Sequence, residues 1–104
     1  PNEPAILDSM GWLLFRQGKY EEALDYLKRA YAVFPDPEVA AHLGEAMWMA
    51  GDRDGATSVL RGAMLKTPDS EILLDTLNRL GMDPATFAPF SAPRPDMSPA
   101  GSDT

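Results

Sequence analysis

His42 is the only histidine in a chain of 104 residues that holds no cysteine, so imidazole chemistry has one possible centre and thiolate chemistry none. A Ser-His-Asp arrangement would have to be assembled around that one ring, inside a helical stretch. The surroundings of His42 are acidic: Glu38 and Glu45 flank it at i−4 and i+3, and Asp8 is a further carboxylate that helix packing brings near. Imidazole with carboxylates is a donor set for a divalent transition metal. The same spacing is common on solvated helix faces, and histidine is a residue of intermediate burial. The expectation is a partly buried packing residue, with no metal, no cofactor and no catalytic group. Asp52-Arg53-Asp54-Gly55 looks like the opening of a calcium loop, but its glycine comes too early for that ligand spacing. A helix cap accounts for its first aspartate.

The stronger signal is a repeat. Shifting Pro4–Asp36 by 33 residues superposes Pro4, Gly11, Gly18, Ala23, Leu27, Ala30, Pro35 and Asp36 on Pro37, Gly44, Gly51, Ala56, Leu60, Ala63, Pro68 and Asp69. That is eight identities in 33 positions, where chance gives about two at ordinary residue frequencies. A period of this length marks a helical repeat array. Gly11, Ala23 and Ala30 are spaced so that two antiparallel helices can approach closely, one presenting the glycine and the other the alanines. Leu7, Met10, Leu14, Tyr20 and Leu27 fill the space around them.

These residues resemble the tetratricopeptide repeat, whose pattern runs W-x2-L-G-x2-Y, then A-x3-F, then A and P. Gly11, Gly18, Ala23, Ala30 and Pro35 fit outright. Leu7 and Ala40 stand at the tryptophan position, Met10 and Leu43 at the leucine, Leu14 and Met47 at the tyrosine, and Leu27 and Leu60 at the large aromatic. Each departure is apolar for apolar. The resemblance implies an all-α superhelix of two helix-turn-helix repeats, stacked with a right-handed turn, plus a terminal capping helix.

The local signals place these units. Residues 1–81 form the repeat domain: repeat 1 at about 4–36, repeat 2 at about 37–69, and the capping helix at about 70–80. The first helix spans Pro4–Gln17, with Asn2 or Glu3 as N-cap, proline at the first helical position and Gly18 past its end. Its partner spans Tyr20–Val33, with Glu21 and Glu22 in the first turn and Lys28 and Arg29 late in it, which suits the helix dipole. Asp36 caps a helix that reaches Ala50, and Asp52 caps another over Arg53–Lys66. This fourth helix is weakened by Gly55 and Gly62, each costing roughly 1 kcal/mol relative to alanine. Asp69 takes the cap position of Asp36, and Leu73, Leu77 and Leu80 make an apolar stripe that closes the array. From Met82 to Thr104 the chain holds five of its ten prolines. This segment is expected to be a mostly disordered tail, with Phe87 and Phe90 bulky enough to fold back on the last helix.

Sixteen acidic against nine basic residues leave a formal net charge of −7. A phosphate backbone would find little to neutralise it, so nucleic acid is a poor partner. There is no apolar run of about 18 residues and no signal-peptide pattern, so no direct membrane insertion of this segment is expected. The chain begins at Pro1, at a repeat boundary, which suggests an excised fragment or a mature form.

Function is expected on a surface. The resemblance implies a concave groove lined by the first helix of each pair. Its positions fall here on Ala5, Asp8, Trp12, Phe15 and Arg16, then Glu38, Ala41, Glu45, Trp48 and Met49, then Glu71, Leu74 and Asn78. Helical spacing agrees without the family: Trp12 and Phe15 are i and i+3, on a different face from Leu7, Gly11 and Leu14. Aromatic residues on a solvent face mark a binding site, and tryptophan is enriched among interface hot spots. A protein or peptide ligand, apolar or basic, would find Asp8, Glu38, Glu45 and Glu71 as rim acceptors. Repeats that clamp acidic C-termini carry Lys, Arg and Asn at groove positions, whereas this chain offers Asp8, Trp12, Glu38 and Glu45. The alternative is a purely structural cap, with the aromatics packed against an upstream repeat, the tail or a second subunit. Two and a half repeats are close to the minimum for independent stability, so marginal stability or homo-oligomerisation of the isolated piece is expected, with Ile6 and Leu13 exposed.

A narrower resemblance covers Leu7–Leu80, in the wording FRQGKYEEALDYLKRAYAVFPDPEVAAHLGEAMW. It is similar to the C-terminal repeats of Gram-negative tetratricopeptide lipoproteins, some of which are adaptors that bring cell-wall hydrolases to a carboxyl-terminal processing protease. That resemblance implies a periplasmic array tethered to the outer membrane, with a protein as partner.

Overall fold

The computed structural model describes residues 3–83, which form five helices and, among the described residues, no strand. They are α1 (Pro4–Arg16), α2 (Tyr20–Val33), α3 (Pro37–Met49), α4 (Arg53–Lys66) and α5 (Glu71–Arg79). The expectations for residues 84–104, including Phe87 and Phe90, lie outside the described residues. Each helical hairpin turns on a glycine with positive φ, Gly18 at 82° and Gly51 at 98°, a conformation that strains any residue with a Cβ. Asp36 Oδ1 accepts from the Val39 amide and Asp52 Oδ1 from the Gly55 amide, both at 2.9 Å. These caps satisfy amides that a helix start leaves without a backbone partner.

The start of α5 departs from the repeat. Ser70, not Asp69, is the N-cap, its Oγ accepting from the Leu73 amide at 3.4 Å. Repeats 1 and 2 place proline directly after the cap residue, where the missing N–H costs nothing. Ser70 stands at that place and can itself cap, so the helix begins one residue later.

Packing is organised by close approach. A Cβ built on Gly11 would lie 2.6 Å from Leu27 Cγ, and one on Gly44 2.6 Å from Leu60 Cδ2. Only glycine lets α1 sit this near α2, and α3 this near α4. Leu27 and Leu60 are fully buried as a result, each contributing roughly 1.5–3 kcal/mol relative to exposure. Helix α3 is the central element. It touches all four other helices and buries Val39, Ala40, Ala41, Leu43, Gly44, Glu45 and Ala46. Leu73 and Leu77 of α5 close the array over Ala40, Ala41, Leu60, Ala63 and Met64. Met82, assigned to the tail on composition, packs against that same cluster.

Helix α1 has no such cover on its outer side. Ile6 is 57% exposed and Leu13 53%, whereas Val39 and Ala46, one period later, are buried. Val39 packs with Ala30, and Ala46 with Ala23 and Leu27, all from α2. Met10, expected in the core, lies on the uncovered side and is 40% exposed.

The two kinds of glycine should respond oppositely to alanine. Gly44→Ala is expected to lower stability by about 1–3 kcal/mol through overpacking against Leu60. A Cβ at Gly62 of α4 meets nothing within 4 Å, so Gly62→Ala should raise stability by about 0.5–1 kcal/mol. Urea denaturation followed by helical circular dichroism reads both, and equal signs would contradict the packing.

Candidate interaction surface

The first helices α1, α3 and α5 lie in sequence across the stack, with α3 in contact with both of the others. Two polar links join them, each between residues 34 apart. His42 Nδ1 of α3 lies 2.8 Å from Asp8 Oδ1 of α1 and 3.1 Å from Oδ2. An ionised carboxylate only accepts, so the ring nitrogen donates. Arg79 Nη1 of α5 donates to Glu45 Oε2 of α3 at 2.7 Å. One 33-residue period plus one position therefore separates side chains that meet across adjacent first helices.

Around His42 the contacts become a stack. The Trp12 ring lies 4.0 Å from His42 at an interplanar angle of 17°, and 4.5 Å from Phe15 at 8°. Phe15 in turn meets Tyr20 of α2 at 5.4 Å, tilted by 46°. Helical spacing puts Trp12 and Phe15 on one face, and the approach of α3 adds the imidazole. Aromatic pairs of this kind are worth about 0.5–1.5 kcal/mol each beyond their buried area.

The second link is a charge pair at the edge of the core. Glu45 is 9% exposed. Arg79 holds it while also donating Nε–H to Asp75 at 3.1 Å, with Thr76 Oγ1 3.4 Å from Nη2. Its hydrogen bond to Glu45 first, and that to Asp75 second, raise the pKa of the Arg79 guanidinium above the usual arginine value. Farther along α3, the Arg53 guanidinium sits 4.1 Å from the centroid of the Trp48 ring, a cation–π contact from the start of α4.

Two shallow dents open on the Asp8 side of the first link. One, of about 260 Å³, is lined by Asp8, Ser9, Trp12, Leu13, Arg16, Glu38 and His42. The other, of about 360 Å³, lies between the starts of α1 and α3 and shares Asp8 and Glu38, with the exposed ring of Phe34 at its edge.

Comparison with known proteins agrees with this architecture. The family model of the tetratricopeptide repeat matches residues 14–80. The chain belongs to the tetratricopeptide repeat family. It is also similar to the TPR repeat-containing protein PA4667 of Pseudomonas aeruginosa, at 62% identity over 45 residues. Those residues are 43% of this chain and 8% of that protein, so the chain spans only a small part of the relative's length. Proteins of the tetratricopeptide repeat family typically serve protein–protein interaction without catalysis. No helix among the described residues is long and apolar enough to cross a membrane.

The residues expected to line the tetratricopeptide groove have separate fates. Ala5, Arg16, Glu38, Met49, Glu71 and Asn78 are exposed, and Trp48 and Leu74 are half-buried. Trp12 and Phe15 are half-buried in the stack, and the Asp8 side chain, 13% exposed, is committed to His42. Two positions offer no open surface: Ala41 lies in the core against α4 and α5, and Glu45 is buried and held by Arg79, itself half exposed. Both are covered because α5 closes over α3. His42, Arg53 and Arg79 were missed as members of this face. The 34-residue spacing of an acid and a base was the signal that could have found the polar links.

Removing the Arg79 partner of the buried Glu45 should cost more than removing both residues. Arg79→Met strands the Glu45 carboxylate and is expected to lower stability by about 1–3 kcal/mol. Adding Glu45→Met should recover most of that loss, as read from chemical-denaturation midpoints. If the double variant is as unstable as the single one, the loss in Arg79→Met does not come from stranding Glu45.

Proposed function

We propose that this chain is a non-catalytic scaffold that binds a protein or peptide on the open side of its first helices. The observation that carries the reading is apolar surface left partly open on the first helices of an acidic chain. Met49 is 48% exposed next to the half-buried Trp48 on α3, and Leu74 is half-buried on α5. Glu38 and Glu71 remain open to solvent at the starts of α3 and α5. Apolar side chains would supply the affinity and the carboxylates the orientation. With a net charge of −7, the favoured partner is an apolar or basic segment of a protein. Family membership supports the general role. The periplasmic setting that the lipoprotein resemblance implies is part of the proposal.

The test is capture of partners by the wild-type chain against Trp48→Ala with Met49→Ala. The double variant should lose at least about tenfold in affinity for any specific partner, as removal of one tryptophan hot spot does. Unchanged binding by both forms would end the proposal for this side of the molecule.

A second reading, that the chain is a structural element of a longer array, is favoured by a different observation: Trp12 and Asp8 already spend their contacts on His42. Single-tryptophan variants separate the two. In Trp12→Phe, the remaining Trp48 should be quenched by acrylamide and shift in emission when a partner binds. Blue, unquenched emission that no partner alters would favour the structural reading. The exposed face of Ile6, Met10 and Leu13 fits cover by a preceding repeat. In isolation it should drive self-association, which Ile6→Lys with Leu13→Lys would reduce in sedimentation.

A further inference from the structure

We propose that Asp8, Glu38 and His42 form a binding site for a divalent transition-metal ion that bridges α1 and α3. A ring nitrogen of His42 and one carboxylate oxygen each from Asp8 and Glu38 lie within 4.8 Å of one another. Around an ion with ligand distances of about 2.0–2.2 Å, donors stand roughly 3–3.5 Å apart, so a small contraction completes the set. The group free to make that movement is Glu38. Its side chain is exposed, and among the described residues it makes no hydrogen bond or ion pair.

The three donors are placed by independent features of the fold. Glu38 and His42 are i and i+4 on α3, one above the other on the same face. Asp8 comes from the neighbouring first helix, so the set chelates across a tertiary contact. His42 is already oriented, since its Nδ1 is bonded to Asp8 and its ring is stacked on Trp12. This ordering removes much of the entropy that a flexible ligand would lose on binding. Two carboxylates and an imidazole match the charge of a divalent cation. The nitrogen donor favours zinc, nickel or cobalt over calcium or magnesium. An ion held by all three groups takes the place of the hydrogen between His42 Nδ1 and Asp8, and the neutral imidazole bound through Nδ1 then carries its one proton on Nε2. Arg16 lines the same dent and is the nearby positive charge that the ion must tolerate.

Access is open on both sides, because Asp8 and Glu38 line both dents. The remaining coordination positions would then face solvent or a partner. The site shares Glu38 with the proposed partner-binding side but not Trp48, Met49 or Leu74, and a metal titration without a partner reads it by itself.

Trp12 provides the readout. Its ring is 4.0 Å from His42, so nickel or cobalt on that imidazole should quench its emission. The experiment uses the full chain without a polyhistidine tag, carrying Trp48→Phe so that Trp12 is the sole tryptophan. Titration with nickel should give saturable quenching with one site per chain, reversed by EDTA and by competition with zinc. Glu38→Gln should weaken binding by about tenfold or more, and His42→Asn should abolish it. Because Glu38 is exposed, Glu38→Gln keeps the test valid even if His42→Asn disturbs the stack. Quenching that rises linearly without saturation, or identical curves for Glu38→Gln and its parent, would overturn the proposal.

Discussion

The whole stack depends on two places where a side chain is missing. At Gly11 and Gly44 the partner helix fills the volume a Cβ would occupy, with Leu27 and Leu60 lying against the backbone. Close approach in each hairpin lets the alanines of the second helix, Ala23, Ala30, Ala56 and Ala63, become fully or almost fully buried. Small residues thus set the separation of the axes, and the leucines supply the apolar area that stabilises it. The same geometry, applied twice at a 33-residue interval, gives α3 neighbours on both sides and makes it the most enclosed helix.

Burial of α3 has a consequence for its polar residues. Glu45 lies where α5 closes over the stack, and a lone carboxylate there would lose its hydration without compensation. Arg79 of α5 meets it, so closure of the array and neutralisation of the charge are the same event. His42, one turn earlier on α3, faces the opposite neighbour, α1, and is joined to Asp8 and Trp12. Each first helix is therefore linked to the next by a polar contact as well as by packing. Met49 remains exposed at the end of α3, next to a Trp48 ring that carries the Arg53 guanidinium of α4. A scaffold of this kind separates its duties: glycine and alanine hold the hairpins, polar pairs align the first helices, and residual apolar surface is left for a partner.

Most of the fold was legible in the chain itself. The repeat of Gly11, Gly18, Ala23, Leu27, Ala30 and Pro35 determined two hairpins of the tetratricopeptide type, because each of those residues answers a local demand. Glycine is needed at the turns and at close approaches, proline suits a helix start and stop, and aspartate before a helix caps it. These demands act within a few residues or across one hairpin, so they are written in spacing. The start of α5 was read one residue early, because Asp69 and Ser70 both cap and only the register of Leu73 and Leu77 in the core selects between them.

The surface was legible only in part. Helical period placed Trp12 with Phe15, and the two rings do stack, but Phe15 also packs with Leu14 against the cluster of Ala23, Leu27, Leu43 and Ala46. The period could not show that His42 would stack on Trp12, that Glu45 would be buried and held by Arg79, or that Ala41 would be core instead of groove. Those outcomes depend on the offset between one hairpin and the next, one period plus one residue. That offset is set by how side chains interlock across helices far apart in the chain. Composition and period by themselves determined helices, caps and the hairpin contacts. The tertiary structure alone decided which polar residues meet, because a meeting between stacked helices is a property of their relative position, which no local spacing encodes.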